Sequence, residues 1–372
     1  MTSPRNSWHK VSLGDICTFR YGKALPETVR AGGEVKVYGS NGVVGYHALA
    51  LSNGSTIVIG RKGSFGEVNF SNSACWPIDT TYFIDRTATD QDLRWLYFRL
   101  SALGLNQLNK SAAVPGLNRE DAYRQTLLIP PLSEQRRIAA ILDQADALRA
   151  KRREALGQLD RLRQALFLGM FGEPTTNSRQ WQTKPLIETC EEINDCPHST
   201  PVWTEKGEIC MRTSNLTAGG WNWSDTRYVL ETTFEERSRR GHVRTGDIIL
   251  SREGTIGIAA IVTSSMRVCM GQRLVQVRPS PSILVPEYLL RHLLYVLSPK
   301  RIGQVMVGST SKHLNVRELK ALRIPIPPIE YQLVFARRAA AIEKLEATHS
   351  SSLTQLNSLF NSLQHRAFRG EL

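Results

Sequence analysis

Apolar residues recur at alternating spacings of three and four in two long segments of the chain, residues 138–166 and 335–363. This rhythm is typical of the a and d positions of a coiled coil. Proline is not tolerated inside a helix, so Pro130-Pro131 and Pro327-Pro328 mark the two starts, and Ser133 is the N-cap candidate of the first helix. The pattern therefore predicts two long amphipathic helices.

The two helices are expected to pair antiparallel about a pseudo-twofold axis. Both seams become polar or small at the middle, with Arg152 and Ala155 in the first helix and His349 and Ser352 in the second. A polar layer at this point can set register and orientation. The alternative is that each helix lies on its own domain. The predicted pairing residues are Ile138, Ile141, Leu148, Arg152, Leu159, Leu162 and Leu166 in the first helix, and Ile342, Leu345, His349, Leu356, Leu359 and Leu363 in the second.

The helices belong to a repeat, because residues 117–171 align with residues 314–368 without a gap. The repeat is far longer than the roughly 20 to 50 residues of a solenoid unit, so each copy should be a whole domain plus a helix. Matching residues include Ile129-Pro130-Pro131 with Ile326-Pro327-Pro328, and Gln135 with Gln332.

The segments before the helices combine strand-like stretches, Gly- and Asn-rich turns and one helical stretch per half, residues 92–103 and 286–297. The predicted fold class is α+β, with two pseudosymmetric strand-rich domains separated by two long helices. The expected bounds are 1–132 for the first domain, 133–172 for the first helical region, 173–328 for the second domain and 329–372 for the second helical region.

The chain is basic, with 47 Lys and Arg against 34 Asp and Glu in 372 residues. This balance favours a polyanionic partner, because neutralising phosphates supplies most nonspecific affinity for DNA; a merely soluble basic protein remains the alternative. Six cysteines without close pairs are typical of a reducing compartment, and no apolar signal or membrane-length run occurs. We expect a cytoplasmic protein.

One short motif, R-x-G-[ST]-x-G, occurs in both halves, as Arg61-Lys-Gly-Ser-Phe-Gly66 and Arg252-Glu-Gly-Thr-Ile-Gly257. Each copy follows an apolar strand, where glycines permit close approach to a ligand and Arg or a hydroxyl group can contact phosphate or a base edge. The alternative is a tight hairpin turn with an incidental Arg.

Small, polar and partly basic loops before each long helix have a composition suited to lying along a phosphate backbone, with an ordinary solvated connection as the alternative. Lys62 and Glu253 occupy the same motif position, one suited to guanine and the other to cytosine. The candidate DNA-binding residues are Ser40, Asn41, Arg61, Lys62, Ser64, Lys110, Ser111 and Asn118 in the first half, and Arg212, Ser214, Asn215, Arg252, Glu253, Thr255, Thr310, Ser311, Lys312 and Asn315 in the second.

No pattern diagnostic of catalysis is found. The sequence has no Walker A motif, no S-adenosylmethionine loop or amino-methyltransferase loop, and no nuclease pattern. The segment 195–198 together with Cys210 could be a metal site, but it lacks a second pair at zinc spacing, so a structural turn is favoured and no metal is expected. We expect a non-catalytic protein.

These features together resemble the specificity subunits of type I restriction-modification enzymes. The resemblance covers nearly the whole chain. It rests on the duplicated architecture and on Ile129-Pro-Pro-Leu-Ser-Glu-Gln135, Gly246-Asp-Ile-Ile-Leu-Ser-Arg-Glu-Gly-Thr-Ile-Gly257, Asp195-Cys-Pro-His-Ser-Thr-Pro201 and Phe368-Arg-Gly-Glu-Leu372. One departure is Arg338, which stands where the first helix has Ile141.

The resemblance implies two target recognition domains, each binding one half of a bipartite, asymmetric double-stranded DNA site, with the helices as spacer. It implies two methylation subunits and further restriction subunits as partners, which would hold S-adenosylmethionine, ATP and Mg, while this chain holds no cofactor. The alternatives are a recognition subunit of a methylation-only or other phage-defence complex, a fused enzyme, or a coiled-coil scaffold that does not bind DNA.

Overall fold

The structure is a computed structural model that describes residues 8–30, 32–108, 116–263, 266–305 and 314–372, without the side chains of residues 304 and 305. The chain divides into two compact units. Unit 1 comprises residues 1–154 and 350–372, and unit 2 comprises residues 155–349.

Unit 1 is an α+β domain. Its strands and helices are β1 (His9–Ser12), β2 (Arg20–Tyr21), β3 (Val35–Gly39), β4 (Gly42–His47), β5 (Thr56–Gly60), β6 (Val68–Ser71), β7 (Trp76–Pro77), β8 (Thr81–Asp85), α1 (Leu93–Ser101), α2 (Arg119–Tyr123), β9 (Thr126–Ile129) and the first part of α3 (Leu132–Phe171).

The centre of unit 1 is an antiparallel sheet in the order β2-β8-β5-β6. Strands β5 and β8 are buried along their whole length, which agrees with the β-branched and aromatic residues of Thr56–Gly60 and Thr81–Asp85. A second sheet has the order β4-β3-β7, with β3 parallel to β7, and β1 pairs with β9. Helix α1 begins at its N-cap Asp92, whose carboxylate accepts a hydrogen bond from the Trp95 amide, and buries Trp95 in the core.

Unit 2 has a comparable inventory. Its elements are β10 (Thr183–Pro185), β11 (Cys190–Asp195), β12 (Glu208–Met211), β13 (Leu216–Thr217), β14 (Gly220–Trp221), β15 (Tyr228–Val229), α4 (Glu231–Ser238), β16 (Ile248–Ser251), β17 (Ala259–Ile261), β18 (Val268–Met270), β19 (Leu274–Pro279), α5 (Pro286–Val296), α6 (Ile302–Val305), α7 (Val316–Ala321), β20 (Arg323–Pro325) and α8 (Ile329–Ala367).

The sheets of unit 2 repeat those of unit 1. The order β11-β19-β16-β17 corresponds to β2-β8-β5-β6, and β15-β12-β18 corresponds to β4-β3-β7, again with one parallel pair. Strand β10 pairs with β20 as β1 pairs with β9. The predicted α+β class and the duplication of strand-rich domains are therefore confirmed.

The two long helices contribute to both units and run antiparallel within each. In unit 1, Arg137 donates to the carbonyl of Leu372 and Arg149 donates to Asn357, so residue numbers rise along α3 as they fall along α8. In unit 2, Arg163 forms an ion pair with Glu346 at 2.6 Å, and the Phe167 ring lies 5.6 Å from the Phe335 ring, so the helices again run in opposite directions. Helix α3 begins at Leu132, so Ser133 lies in the first turn and is not the N-cap.

The seam between the helices differs from the predicted one at four of the thirteen predicted positions. Four leucines of the predicted seam are exposed and lie outside it: Leu148 (53%), Leu162 (52%), Leu345 (50%) and Leu359 (51%). The other predicted pairing residues are buried or half-buried: Ile138, Ile141, Arg152, Leu159, Leu166, Ile342, His349, Leu356 and Leu363.

The residue that follows each exposed leucine lies in the seam instead. Arg149, Arg163 and Glu346 are mostly shielded from solvent, and Phe360 is buried. The guanidinium of Arg149 lies 4.1 Å from the centroid of the Phe360 ring. Arginine can occupy a seam because its stem packs on apolar surface while its head finds an acceptor or a ring.

The same shift removes the apparent interruption of the second helix. Arg338 is exposed, and the next residue, Ala339, is buried in the core of unit 2. The boundary between the units crosses α3 after Glu154 and α8 after His349. The predicted pairing of the two polar centres therefore stays a prediction.

Candidate nucleic-acid interface

Both copies of R-x-G-[ST]-x-G form a β-hairpin, one between β5 and β6 and the other between β16 and β17. We call these the RxG hairpins of unit 1 (residues 61–66) and unit 2 (residues 252–257). The amide of Gly66 donates to the carbonyl of Gly60 at 2.8 Å, and the amide of Gly257 donates to the carbonyl of Ser251 at 3.1 Å. The two hairpins thus have the same backbone closure.

The last glycine of each RxG hairpin is required by geometry. Gly66 has φ of 77° and Gly257 has φ of 80°, a left-handed conformation that side-chain-bearing residues seldom adopt. A Cβ on Gly66 would lie 2.2 Å from the Asn106 amide nitrogen, and one on Gly257 would lie 2.2 Å from the Leu297 carbonyl oxygen. The glycines allow the hairpin to lie against the neighbouring segment.

The segments before α2 and α7 pair with the hairpins in the same way. The amide of Leu117 donates to the carbonyl of Arg61 at 2.9 Å, and the amide of Leu314 donates to the carbonyl of Arg252 at 2.8 Å. Sequence reasoning had placed basic loops here; Lys110, Ser111, Thr310, Ser311 and Lys312 lie outside the described residues.

Asn118 and Asn315, which follow these segments, are N-caps. The side-chain oxygen of Asn118 accepts the amide of Glu120, and that of Asn315 accepts the amide of Arg317, both at 2.8 Å. Their match in the repeat therefore reflects helix capping. Their side-chain oxygens thus already accept a backbone hydrogen bond, and the predicted DNA contacts of Asn118 and Asn315 stay a prediction.

In unit 1 the turn between β3 and β4 adjoins the RxG hairpin. The hydroxyl of Ser40 donates to the carbonyl of Thr80 at 2.8 Å, and the amides of Arg61 and Lys62 donate to the same carbonyl at 2.9 and 3.2 Å. Ser40 is thereby buried, whereas its neighbour Asn41 is exposed. The structure brings the turn and the hairpin together on one carbonyl group.

The arginine of this hairpin has partners within the protein. Arg61 donates from Nη2 to the carbonyl of Asp79 at 2.7 Å, and its guanidinium lies 5.4 Å from the centroid of the Tyr21 ring. Lys62 and Ser64 project from the same hairpin and are exposed. Among the described candidates of unit 1, Asn41, Lys62, Ser64 and the helix cap Asn118 are exposed.

In unit 2 the corresponding Arg252 is buried, and its predicted contact with phosphate or a base edge stays a prediction. Its Nε lies 3.3 Å from the Asp195 carboxylate, and Nη2 lies 3.5 Å from Nδ1 of His198 and 3.8 Å from Glu253. Removing either partner of a buried ion pair is costly, because the remaining charge is left buried without a counter-charge. Arg252 thus joins the 195–198 turn to the hairpin.

Glu253 is held between two arginines. In addition to Arg252, its carboxylate lies 3.2 Å from Nε of Arg273. The predicted contrast between Lys62 and Glu253 in base preference stays a prediction, and the carboxylate is shared with Arg273. Thr255, at the tip, is exposed.

The remaining candidates of unit 2 lie in a short 3₁₀ turn after β12. Asn215 is buried, accepts the amide of Arg212 at 2.9 Å and donates to the carbonyl of Asn222, so its amide supports the turn. Arg212 pairs with Asp225 at 2.6 Å, and this hydrogen bond lowers the pKa of the Asp225 carboxyl. Ser214 is exposed.

The matched glutamines have a role that sequence reasoning missed. Gln135 accepts the amide of Asp92 at 2.9 Å and donates to the carbonyl of Pro130; Gln332 accepts the amide of Val285 at 2.8 Å and donates to the carbonyl of Pro327. Each glutamine joins the start of a long helix to the start of α1 or α5. Its identical place after both proline pairs was the available signal.

The 195–198 segment and Cys210 have protein partners. The sulfur of Cys196 accepts the amide of Leu274, His198 lies 3.3 Å from Asp195, and Cys210 is fully buried. Within the described part of the chain, no three His, Cys, Asp or Glu residues lie together as metal ligands do. In the same part, no helix has the length and apolar character needed to cross a bilayer.

Comparison with known proteins agrees with this duplicated architecture. The chain is 24% identical over 348 residues to the type I restriction enzyme EcoBI specificity subunit of Escherichia coli, spanning 85% of this chain and 73% of that protein. It is 26% identical over 305 residues to the EcoKI specificity subunit of E. coli K12, spanning 74% of this chain and 64% of that protein.

A solved structure shares the fold. The crystal structure of the S subunit of the type I restriction-modification system from M. genitalium matches with a TM-score of 0.59 and 14% identity, over 97% of this chain and 96% of that one. The family model for the type I restriction modification DNA specificity domain matches twice, at residues 5–158 and 204–357. This chain therefore belongs to the type I restriction modification DNA specificity family, with two copies of the domain.

Proposed function

We propose that this chain is the DNA-recognition subunit of a type I restriction-modification complex and that each unit recognises one half of a bipartite, asymmetric DNA site. The observation that carries the proposal is the RxG hairpin, which has the same backbone hydrogen bonds in both units but different exposed side chains. A shared scaffold with different contact groups is what recognition of two different half-sites requires.

The differences between the hairpins are chemical. Unit 1 presents Lys62 and Ser64, and unit 2 presents Thr255 and the Glu253–Arg273 pair. Lysine and arginine donate to guanine, whereas a hydroxyl group can donate or accept. The two half-sites should therefore differ in sequence.

The charge of the chain supports a DNA partner. The formal net charge is +13 at pH 7. Neutralising phosphates releases counterions, so the affinity for DNA should fall as the salt concentration rises. For each contacted phosphate, the logarithm of the binding constant should fall by roughly 0.9 when the salt concentration rises tenfold. A coiled-coil scaffold without DNA would show no such dependence.

We also propose that the chemistry resides on partner subunits. In this proposal the chain binds two methylation subunits and, in a restricting complex, restriction subunits, and these hold S-adenosylmethionine, ATP and Mg. The exposed Leu148, Leu162, Leu345 and Leu359 of the long helices are apolar side chains that a docked subunit would cover.

The test combines binding and methylation. The full chain would be expressed with its methylation partners in a host lacking other adenine methylation, and methylated adenines mapped across the genome. We expect two short motifs about one helical turn of DNA apart, with one adenine on each strand. Gel-shift titrations of a duplex with the mapped site should show affinity falling steeply with salt. Methylation without a motif, or binding that does not change with salt, would refute the proposal.

A further inference from the structure

Arg273 has an unusual backbone conformation next to the RxG hairpin of unit 2. Its φ is 67°, and the other non-glycine residues with positive φ in the described part of the chain are Asn177 and Gln180, in the segment that follows α3. A residue with a side chain is disfavoured in this left-handed region, which glycine enters freely. Such outliers concentrate at functional sites.

The position of Arg273 belongs to the repeated scaffold. Its carbonyl accepts the amide of Arg252 at 3.0 Å, as the carbonyl of Thr80 in unit 1 accepts the amide of Arg61 at 2.9 Å. Thr80 is absent from the positive-φ residues of the described chain. In unit 1 this hydrogen bond to the hairpin therefore forms without a left-handed residue. At this position the backbone strain is found in unit 2 and not in unit 1.

Packing does not account for an arginine here. The side chain of Arg273 is 59% exposed. A glycine would adopt the same backbone without strain and would leave the carbonyl bond to Arg252 in place. The guanidinium is therefore the feature that needs an explanation.

The contacts of Arg273 leave one edge of the guanidinium for a ligand. Nε lies against the Glu253 carboxylate at 3.2 Å, and Glu253 is itself 3.8 Å from the buried Arg252. The guanidinium has five N–H donors, and its two terminal nitrogens match O6 and N7 of guanine. A carboxylate on the Nε side restricts the side chain and lowers the entropy lost on binding.

We infer that Arg273 recognises a guanine in the half-site bound by unit 2 and that Glu253 is its positioning residue. This inference rests on the proposed function. It assigns base recognition in unit 2 to a residue outside the R-x-G-[ST]-x-G motif, because the motif arginine, Arg252, is buried in the fold.

The test uses the full chain in complex with its methylation partners. Arg273→Ala should remove the guanine preference at one position of one half-motif, with roughly a 10- to 100-fold loss of discrimination there. Arg273→Lys should keep affinity and retain part of this discrimination, since lysine also donates to guanine but lacks the planar two-pronged edge of arginine. Arg273→Gly should lose discrimination as Ala does, yet melt at a higher temperature than Ala because the strain is relieved.

Arg267→Ala is the matched control. The Arg267 side chain is 55% exposed and pairs with Glu208 and Glu231. The substitution therefore removes a comparable surface ion pair outside the RxG hairpin. The control should leave both half-motifs unchanged. A change of the same kind in the control would overturn the inference.

Glu253→Gln tests the positioning role. It should weaken the guanine preference at the same motif position in the wild-type background and have no further effect on that preference when combined with Arg273→Ala. An additional effect in the Arg273→Ala background would assign Glu253 an independent contact and contradict its positioning role.

The outcomes separate this inference from the proposed function. If the wild type methylates no defined motif, the proposed function fails. If the wild type has a motif and Arg273→Ala leaves it unchanged, the proposed function stands and the inference is wrong. Uniformly weaker binding on all sequences, with a smaller salt dependence, would show a phosphate contact and would also overturn the inference.

Discussion

At the scale of single residues, equivalent positions in the two units fall into two groups. Gln135 and Gln332 make equivalent buried hydrogen bonds, and Asn118 and Asn315 make equivalent helix caps, so their identity reflects folding. Thr80 and Arg273 share a backbone role but differ in side chain. Residues that match support the scaffold, and residues that differ are the better candidates for recognition.

Gln332→Ala should lower the free energy of unfolding by about 1 to 3 kcal/mol, because it leaves the Val285 amide and two carbonyls without their partner in a buried site. Urea denaturation would measure the loss. Gln164→Ala, at an exposed position of α3, is the matched control and should stay within about 0.5 kcal/mol of wild type. An equal effect of both substitutions would contradict the role of Gln332.

His292 should make the stability of unit 2 sensitive to acid. Burial lowers its pKa to about 4, and neither ring nitrogen has a hydrogen-bond partner among the described residues. An imidazole in the unfolded chain titrates near pH 6.5, so between about pH 6.5 and 4 the unfolded state takes up a proton that the folded state does not. Stability should therefore fall as pH falls through this window, by up to about 3 kcal/mol.

Replacing His292 with leucine should remove this dependence. His292→Leu should be more stable than wild type by a larger margin at pH 4.5 than at pH 7.5, measured by urea denaturation at both values. A margin that does not change with pH would show that His292 does not cause the acid sensitivity.

At the scale of elements, the predicted spacing of the long helices is correct, but four of the residues assigned to the seam lie outside it. The alternation of three and four was right, but the seam uses Arg149, Arg163 and Glu346 in place of leucines one residue earlier. Hydrophobicity alone favours Leu148 over Arg149. In the structure Arg149 lies in the seam, because its guanidinium packs on the Phe360 ring and donates a hydrogen bond to the Asn357 side chain of the second helix.

This difference predicts unequal losses of unfolding free energy for two leucine substitutions six residues apart on α3. Leu142 is fully buried, so Leu142→Ala should cost about 2 to 5 kcal/mol of unfolding free energy. Leu148 is 53% exposed, so Leu148→Ala should cost well under about 1 kcal/mol. Thermal or urea denaturation of the isolated chain would decide, and a larger loss for Leu148→Ala would restore the seam predicted from sequence.

At the scale of the whole molecule, the division into two compact units predicts that the sequence preferences for the two half-sites can be changed independently. Lys62→Glu should alter one half-motif, Arg273→Ala should alter the other, and the double variant should show both changes without further effect. Sequencing of methylated adenines from cells expressing each variant would measure this. Either single substitution changing both half-motifs would contradict the assignment of one half-site to each unit.

Periodicity and the backbone requirements of proline and glycine act locally, so they were enough to predict the duplication, the α+β class, the two long helices and the place of the RxG hairpins. Which side chains are accessible depends on the folded chain. Arg252 is buried beside Asp195, Asn118 and Asn315 cap helices, and the four exposed leucines lie outside the seam. Burial and hydrogen bonding depend on residues far apart in the chain, such as the 54 positions between His198 and Arg252, and local pattern carries no information on those partners.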